Sequence, residues 1–115
     1  MRKIKTLKKN YQFSKVLNKG RYYKGEWIDL YIRENRQNEN YIGIAVGVKT
    51  GKATKRNHVK RLIRENYRLL KEQLNKGYDI VFLWKKKKSF LEADFYQIKK
   101  DEENLFRKAG ILEKK

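Results

Sequence analysis

Tyr41-Ile42-Gly43-Ile44-Ala45-Val46-Gly47-Val48, followed closely by Lys52-Ala53-Thr54-Lys55-Arg56-Asn57-His58-Val59-Lys60-Arg61-Leu62-Ile63-Arg64-Glu65-Asn66-Tyr67-Arg68, is where the chain's apolar period changes from that of a strand to that of a helix. In the first stretch Ile42, Ile44, Val46 and Val48 alternate with Tyr41, Gly43, Ala45 and Gly47. It reads as a strand with one bulky face and one mostly small face, and the small face lets a helix or a ligand approach closely, with helix packing the plainer reading. From about Arg56 to Leu74, at about 100° per residue, Val59, Leu62, Ile63, Leu70 and Leu74 gather on one side, and Arg56, Asn57, Lys60, Arg61, Arg64, Arg68 and Lys71 on the other. Gly77 reads as the end of that helix.

Working upstream, Asn35 to Asn40 is a polar turn. Before it, Trp27 to Arg33 sets Ile28, Leu30 and Ile32 against Asp29, Tyr31 and Arg33, and Arg21-Tyr22-Tyr23 is placed to pair with it as a further strand. Asn10 to Asn18 carries Phe13, Val16 and Leu17 at helical spacing, with Gly20 where a C-terminal cap falls. Downstream, Tyr78 to Trp84 is almost uninterruptedly apolar, the pattern of a strand buried on both faces. Lys85 to Lys88 reads as a solvated turn. A last helix follows, with Phe95, Ile98, Leu105, Phe106 and Ala109 as its stripe; Ser89 with Glu92 and Asp94 with Gln97 both fit a capping box, which leaves its start open. The order α-β-β-β-α-β-α gives an α+β, single-domain α/β sandwich with a small central sheet packed by helices. With no Pro, no Gly/Ser-rich stretch and no repeat, residues 1–115 read as one folded domain, residues 1–9 forming a basic arm whose order the sequence does not fix.

Thirty-one Lys and Arg against 13 Asp and Glu leave a formal charge of +18, a polyanion-binding composition, while the 15 aromatics supply a core that basic disordered tails lack. The absence of Cys and the single His exclude zinc clusters, disulfides, thiol nucleophiles and histidine-based triads. No acidic cluster for a metal pair is visible. No apolar run approaches the roughly 20 residues of a membrane span, and the basic N-terminus lacks a signal-peptide core, so an intracellular protein is expected, while the charge alone leaves nucleic acid and an anionic membrane surface both open as partners. An ordinary solvated helix mixes charge signs, whereas Arg56, Lys60, Arg61, Arg64 and Arg68 repel one another with little acid nearby. Their arginine content suits phosphate and base contacts in structured RNA.

The run Lys55-Arg56-Asn57-His58-Val59-Lys60-Arg61-Leu62-Ile63-Arg64-Glu65, preceded by Gly43 to Val48, Gly51 and Ala53, resembles the signature of the bacterial ribonuclease P protein family. The likeness covers most of the chain, including the basic arm, the Phe13-x-x-Val16 helix, the strand ending in Tyr31 and the closing Leu105-Phe106-Arg107-Lys108. The resemblance implies a ribosomal-protein-S5-domain-2-like fold and a small cytoplasmic subunit that binds a catalytic RNA. With that RNA it removes the 5′ leader of precursor tRNA by endonucleolytic cleavage, with no membrane partner and no further protein partner required. It also implies that the catalytic groups and the Mg²⁺ ions belong to the RNA, and that the protein carries no catalytic residue and no metal site. By the same resemblance Lys49, Lys52, Lys55, Arg56, Arg61 and Arg68 dock on the catalytic RNA, while Phe13, Tyr31, Asn57, Lys60 and Arg64 line the path of the single-stranded leader. Leu17 stands where the family often has an aromatic, Asp29 where an apolar residue is expected, and Gly47-Val48-Lys49 where Ser-Lys-Lys is usual. The rival reading is a ribosomal or other structural RNA-binding protein without a catalytic role.

Overall fold

The computed structural model describes residues 4–113. Five strands, β1 (Lys5–Thr6), β2 (Arg21–Lys24), β3 (Ile28–Glu34), β4 (Tyr41–Ala45) and β5 (Tyr78–Trp84), form one sheet in the order β1-β4-β5-β3-β2. Three helices cover it: α1 (Asn10–Lys19) on one face, α2 (Ala53–Leu70) and α3 (Phe95–Ala109) on the other. β5 is central, parallel to β4 and antiparallel to β3, which explains its apolar run. Ile80, Phe82 and Trp84 enter the core beneath α2 and α3, while Val81 enters the layer beneath α1.

The same alternation divides β3. Ile28, Leu30 and Ile32 are fully buried against Val59, Ile63, Tyr67 and Leu70 of α2 and Ile98, Leu105 and Phe106 of α3. The rings of Tyr67, Phe82 and Phe106 meet at the centre with centroids between 5.9 and 6.4 Å apart. The second layer is thinner: Leu7, Val16 and Val81 are buried, and Phe13, Tyr31, Tyr41 and Leu83 are half-buried around them. The small face of β4 belongs to this layer, and a helix side chain fills it, because the Phe13 ring lies directly on Gly43.

Several element bounds differ from the sequence reading. The basic arm contributes β1, which pairs in parallel with β4, and the Leu7 N–H donates to the Ile42 carbonyl at 2.8 Å; two residues are too few to show a period. Residues 1–3 of the arm lie outside the described residues. β4 stops at Ala45, where its register with Leu83 of β5 runs out, and Val48–Thr50 forms a 3₁₀ turn. α2 begins three residues earlier than its apolar stripe indicates and ends at Leu70, followed by a 3₁₀ turn at Lys71–Gln73. Gly77, with φ 104°, belongs to the turn into β5 and caps no helix.

The open question of where the last helix starts resolves into two caps used in succession. Ser89 and Glu92 close a capping box on a 3₁₀ turn at Phe90–Glu92, and Asp94 caps α3 by accepting from the Gln97 N–H at 2.9 Å. Within α3, Asp101 ties the helix to the β2–β3 connection. Its carboxylate accepts from the N–H groups of Glu26, Trp27 and Ile28 at 2.9, 2.7 and 2.9 Å.

Candidate nucleic-acid interface

The rotation of α2 is fixed by its buried side. Val59, Ile63 and Tyr67 face the sheet, and the Asn66 side chain donates to the Leu62 carbonyl at 3.0 Å and to the Phe95 carbonyl at 3.1 Å, so α3 begins along that flank. The opposite flank therefore turns toward the β1–β4 edge, where Tyr67 and Lys71 line a 380 Å³ cavity with Lys5 and Asn40. Along this flank and the outer face Asn57, Arg61, Arg64 and Arg68 are exposed, and Arg56 and Lys60 are half-buried.

Two of these cations have intramolecular work. Arg56 donates from Nη1 to the Gly51 carbonyl at 3.1 Å, tying the start of α2 to the preceding loop. Arg68 meets Glu65 at 3.4 Å, so the stripe is less free of acid than its sequence suggested; with both side chains more than 40% exposed, the pair is worth roughly 0 to 1 kcal/mol. Lys49, Lys52 and Lys55 surround the N-terminus of α2, whose first turn contains no acidic residue. Three lysines at the positive end of an 18-residue helix oppose its macrodipole. A phosphate placed there would reverse the sign of that interaction and meet free backbone N–H groups. His58 is exposed on the other flank, beside Lys55 and Phe90, as a surface residue.

On the α1 face, Phe13 and Tyr31 are half-buried. Tyr31 does point away from the Ile28-Leu30-Ile32 side, but it is not alone. The ring of Tyr22, 50% exposed, lies 5.0 Å from it, centroid to centroid. Sequence reasoning missed Tyr22, although the pairing of Tyr22 with Tyr31 across β2 and β3 follows once the register is known. Asp29 also becomes intelligible: its carboxylate accepts from Lys85 Nζ at 2.8 Å and from the Gly25 N–H at 3.3 Å. Desolvation, and then the Asp29 charge, hold the Tyr22 hydroxyl above the usual phenol range. The Lys85–Lys88 run is thus not merely a solvated turn, since Lys88 also lies 4.1 Å from the Trp27 ring centroid and 4.0 Å from Glu92.

The two groups assigned to one leader path occupy different layers. Phe13, from α1, and Tyr31, from β3 beneath it, share one layer, whereas Asn57, Lys60 and Arg64 belong to α2 on the opposite face. They share β4, which carries Phe13 on one face and packs under α2 with the other. Among the described residues no group of three His, Cys, Asp or Glu is placed to hold a metal ion. No described helix is long and apolar enough to cross a membrane.

A five-stranded sheet with an arginine-lined helix on one side and half-buried rings on the other defines a small, basic α+β protein of the RNA-binding class. The ribonuclease P family model matches residues 1–110, and the chain belongs to that family. It is 40% identical over 114 residues to the ribonuclease P protein component of Natranaerobius thermophilus, covering 99% of this chain and 97% of that one. It is 43% identical over 106 residues to that of Clostridium botulinum, covering 91% and 94%. Among solved structures, the protein of Thermotoga maritima superposes with a TM-score of 0.81 at 33% identity, over 90% of this chain and 96% of the other. That of Staphylococcus aureus superposes with 0.83 at 27% identity, over 96% and 99%. The chain is accordingly the RNA-binding, non-catalytic protein subunit of an endoribonuclease of tRNA processing, and the structural RNA-binding alternative is not favoured.

Proposed function

We propose that this subunit, folded as one domain over residues 1–115, works in the cytoplasm by holding two RNA molecules at once. Lys49, Lys52, Lys55, Arg56, Arg61 and Arg68 dock on the catalytic RNA. Phe13, Tyr31, Asn57, Lys60 and Arg64 guide the single-stranded 5′ leader of precursor tRNA toward it. The observation that carries this reading is the outer stripe of α2, where Arg61 and Arg64 are exposed and form no ion pair among the described residues. Such a stripe costs folding free energy until an anion covers it. Half-buried rings supply base contacts that tolerate any sequence, because every base presents a π-face.

Mg²⁺ bound mainly by the RNA supplies the chemistry of phosphodiester cleavage. The protein's residues neutralise phosphates and position the substrate. Each phosphate contact adds roughly 0.7 to 0.9 to the salt dependence of binding, so about six contacts make affinity fall by orders of magnitude between low and moderate salt.

The test compares substrate affinity of the reconstituted ribonucleoprotein for precursor tRNA with and without its 5′ leader, alongside cleavage at limiting Mg²⁺ by the RNA alone, the protein alone and the two together. Cleavage only by the combination, with tighter binding of the leader-bearing tRNA, is expected. Equal affinity for both substrates would sink the leader assignment while leaving the docking face standing.

A further inference from the structure

α1 has a second flank that the leader assignment does not use. At 100° per residue, Phe13 and Leu17 lie to one side of the buried Val16, while Tyr11, Lys15 and Lys19 lie to the other. That second flank forms one wall of a 680 Å³ groove whose other wall is the far end of β3 and the turn after it, with Arg33 and Arg36. Arg33 stands opposite Asp79 in the β3–β5 register, and Arg21 and Ile32, which also line the groove, pair with each other one position along from Tyr22 and Tyr31.

Three observations give the groove a chemistry. None of Lys15, Lys19, Arg33 and Arg36 forms an ion pair among the described residues. Of the two acids lining it, Asp79 already accepts from Asn35 Nδ2 at 3.0 Å, and Glu34 alone cannot balance the cations. Tyr11, 56% exposed, opens the groove with the ammonium groups of Lys9 and Lys15 at 5.8 and 5.9 Å from its ring centroid, so an aromatic face and positive charge are presented together.

The turn that presents Arg36 is also held in place. The Asn35 carboxamide accepts from the Gln37 N–H at 2.8 Å and donates to the Glu39 carbonyl at 3.1 Å, and the Asn35 N–H donates to the Gly77 carbonyl at 2.8 Å. Arg36 itself sits at φ 59°, a left-handed conformation that a non-glycine residue adopts at a cost. A costly, pinned backbone under an unpaired arginine is expected where the side chain must meet a ligand.

We propose that this groove is a second RNA track, on the opposite face of the sheet from α2 and on the flank of α1 away from Phe13, that takes a phosphodiester backbone along Lys15, Lys19, Arg33 and Arg36 with a base against Tyr11. The proposal rests on the chain acting as an RNA-binding subunit. The backbone comes either from the catalytic RNA or from a part of the precursor tRNA beyond the leader, and the experiment separates the two.

The double variant Lys15→Ala/Lys19→Ala removes two exposed charges while keeping good helix formers in α1. In the ribonucleoprotein, the salt slope of protein binding to the catalytic RNA, and of precursor tRNA binding to the assembled particle, are measured for this variant. A slope reduced by about 1.4 to 1.8 in one of the two identifies the track's RNA. In parallel, Lys15→Cys introduces the chain's single cysteine, to which a photoactivatable aryl azide is attached. A crosslink to the same RNA whose slope changed is expected. Unchanged slopes in both measurements overturn the proposal, as does a reduced slope with no crosslink to either RNA, which would assign these lysines to the protein's general field. Wild-type cleavage assayed in the same preparations reports on the subunit function independently of either result.

Discussion

The ring of Phe13 occupies the space that a Cβ on Gly43 would take, so α1 and β4 touch through a residue pair that admits no added atom. Gly43→Ala must displace either the ring or the helix that carries it. Overpacking of this kind costs about 1 to 3 kcal/mol, which a lower urea midpoint will register. In the double variant with Phe13→Ala the two effects should be less than additive, because truncating the ring vacates the space; strict additivity would mean the contact is not what excludes a side chain at residue 43.

Tyr31 is braced from below by the α1 layer and from the side by Tyr22, so a base stacking on it meets a ring already held in position. Tyr31→Ala should weaken binding of leader-bearing precursor tRNA by about 1 to 3 kcal/mol and leave the leaderless substrate unchanged. Tyr31→Phe should retain most of the affinity. A loss of equal size for both substrates would make Tyr31 structural.

What could be read from the sequence and what could not divides along physical lines. The Ile28-Leu30-Ile32 face, the doubly buried β5 and the α2 stripe were legible, because burial imposes a period over many residues. β1 was not, since two exposed residues have no period and the pairing of Lys5 with Tyr41 is a long-range fact. The same holds for charge: the pairing of Asp29 with Lys85 joins residues 56 apart in sequence, and nothing local announces it. In the interface, the α2 cations were visible as a stripe, whereas Tyr22 and the groove beside Lys15 and Arg33 needed the register of β2 with β3 and the path of α1 across the sheet.

Arg56 and Arg61 should respond differently to truncation although both belong to the docking set. Arg61 is exposed without an ion pair among the described residues, so Arg61→Ala should reduce the salt slope for the catalytic RNA by about 0.7 to 0.9 with little change in stability. Arg56 also holds the Gly51 carbonyl, so Arg56→Ala should lower the urea midpoint as well, by the roughly 0.5 to 1.5 kcal/mol of one hydrogen bond. Filter binding across a salt series, with urea melts of the free proteins, checks both. Indistinguishable stabilities for the two variants would remove the structural role given to Arg56.

Glu102 is fully buried in α3, and neither of its carboxyl oxygens has a hydrogen-bond partner among the described residues. Burial, and secondarily the neighbouring Asp101 charge, push its pKa well above the ordinary 4.5. The folded protein therefore keeps a proton that the unfolded chain releases. Between 4.5 and the raised folded value, the folded state binds more protons than the unfolded one, so this group's contribution to stability falls as pH rises through that window and levels off above it. Each pH unit of the window is worth about 1.4 kcal/mol. Glu102→Gln keeps the shape and removes the ionisation, and Glu102→Met also removes the polar oxygens. Both variants should match the wild type most closely near pH 4.5 and exceed it by a margin that widens as pH rises toward 8, with Met the more stable of the two. Urea melts at the two pH values measure the difference directly. A wild-type-minus-variant gap that stayed constant with pH would show that Glu102 is ionised in the folded protein, and that the carboxylate has found a partner there.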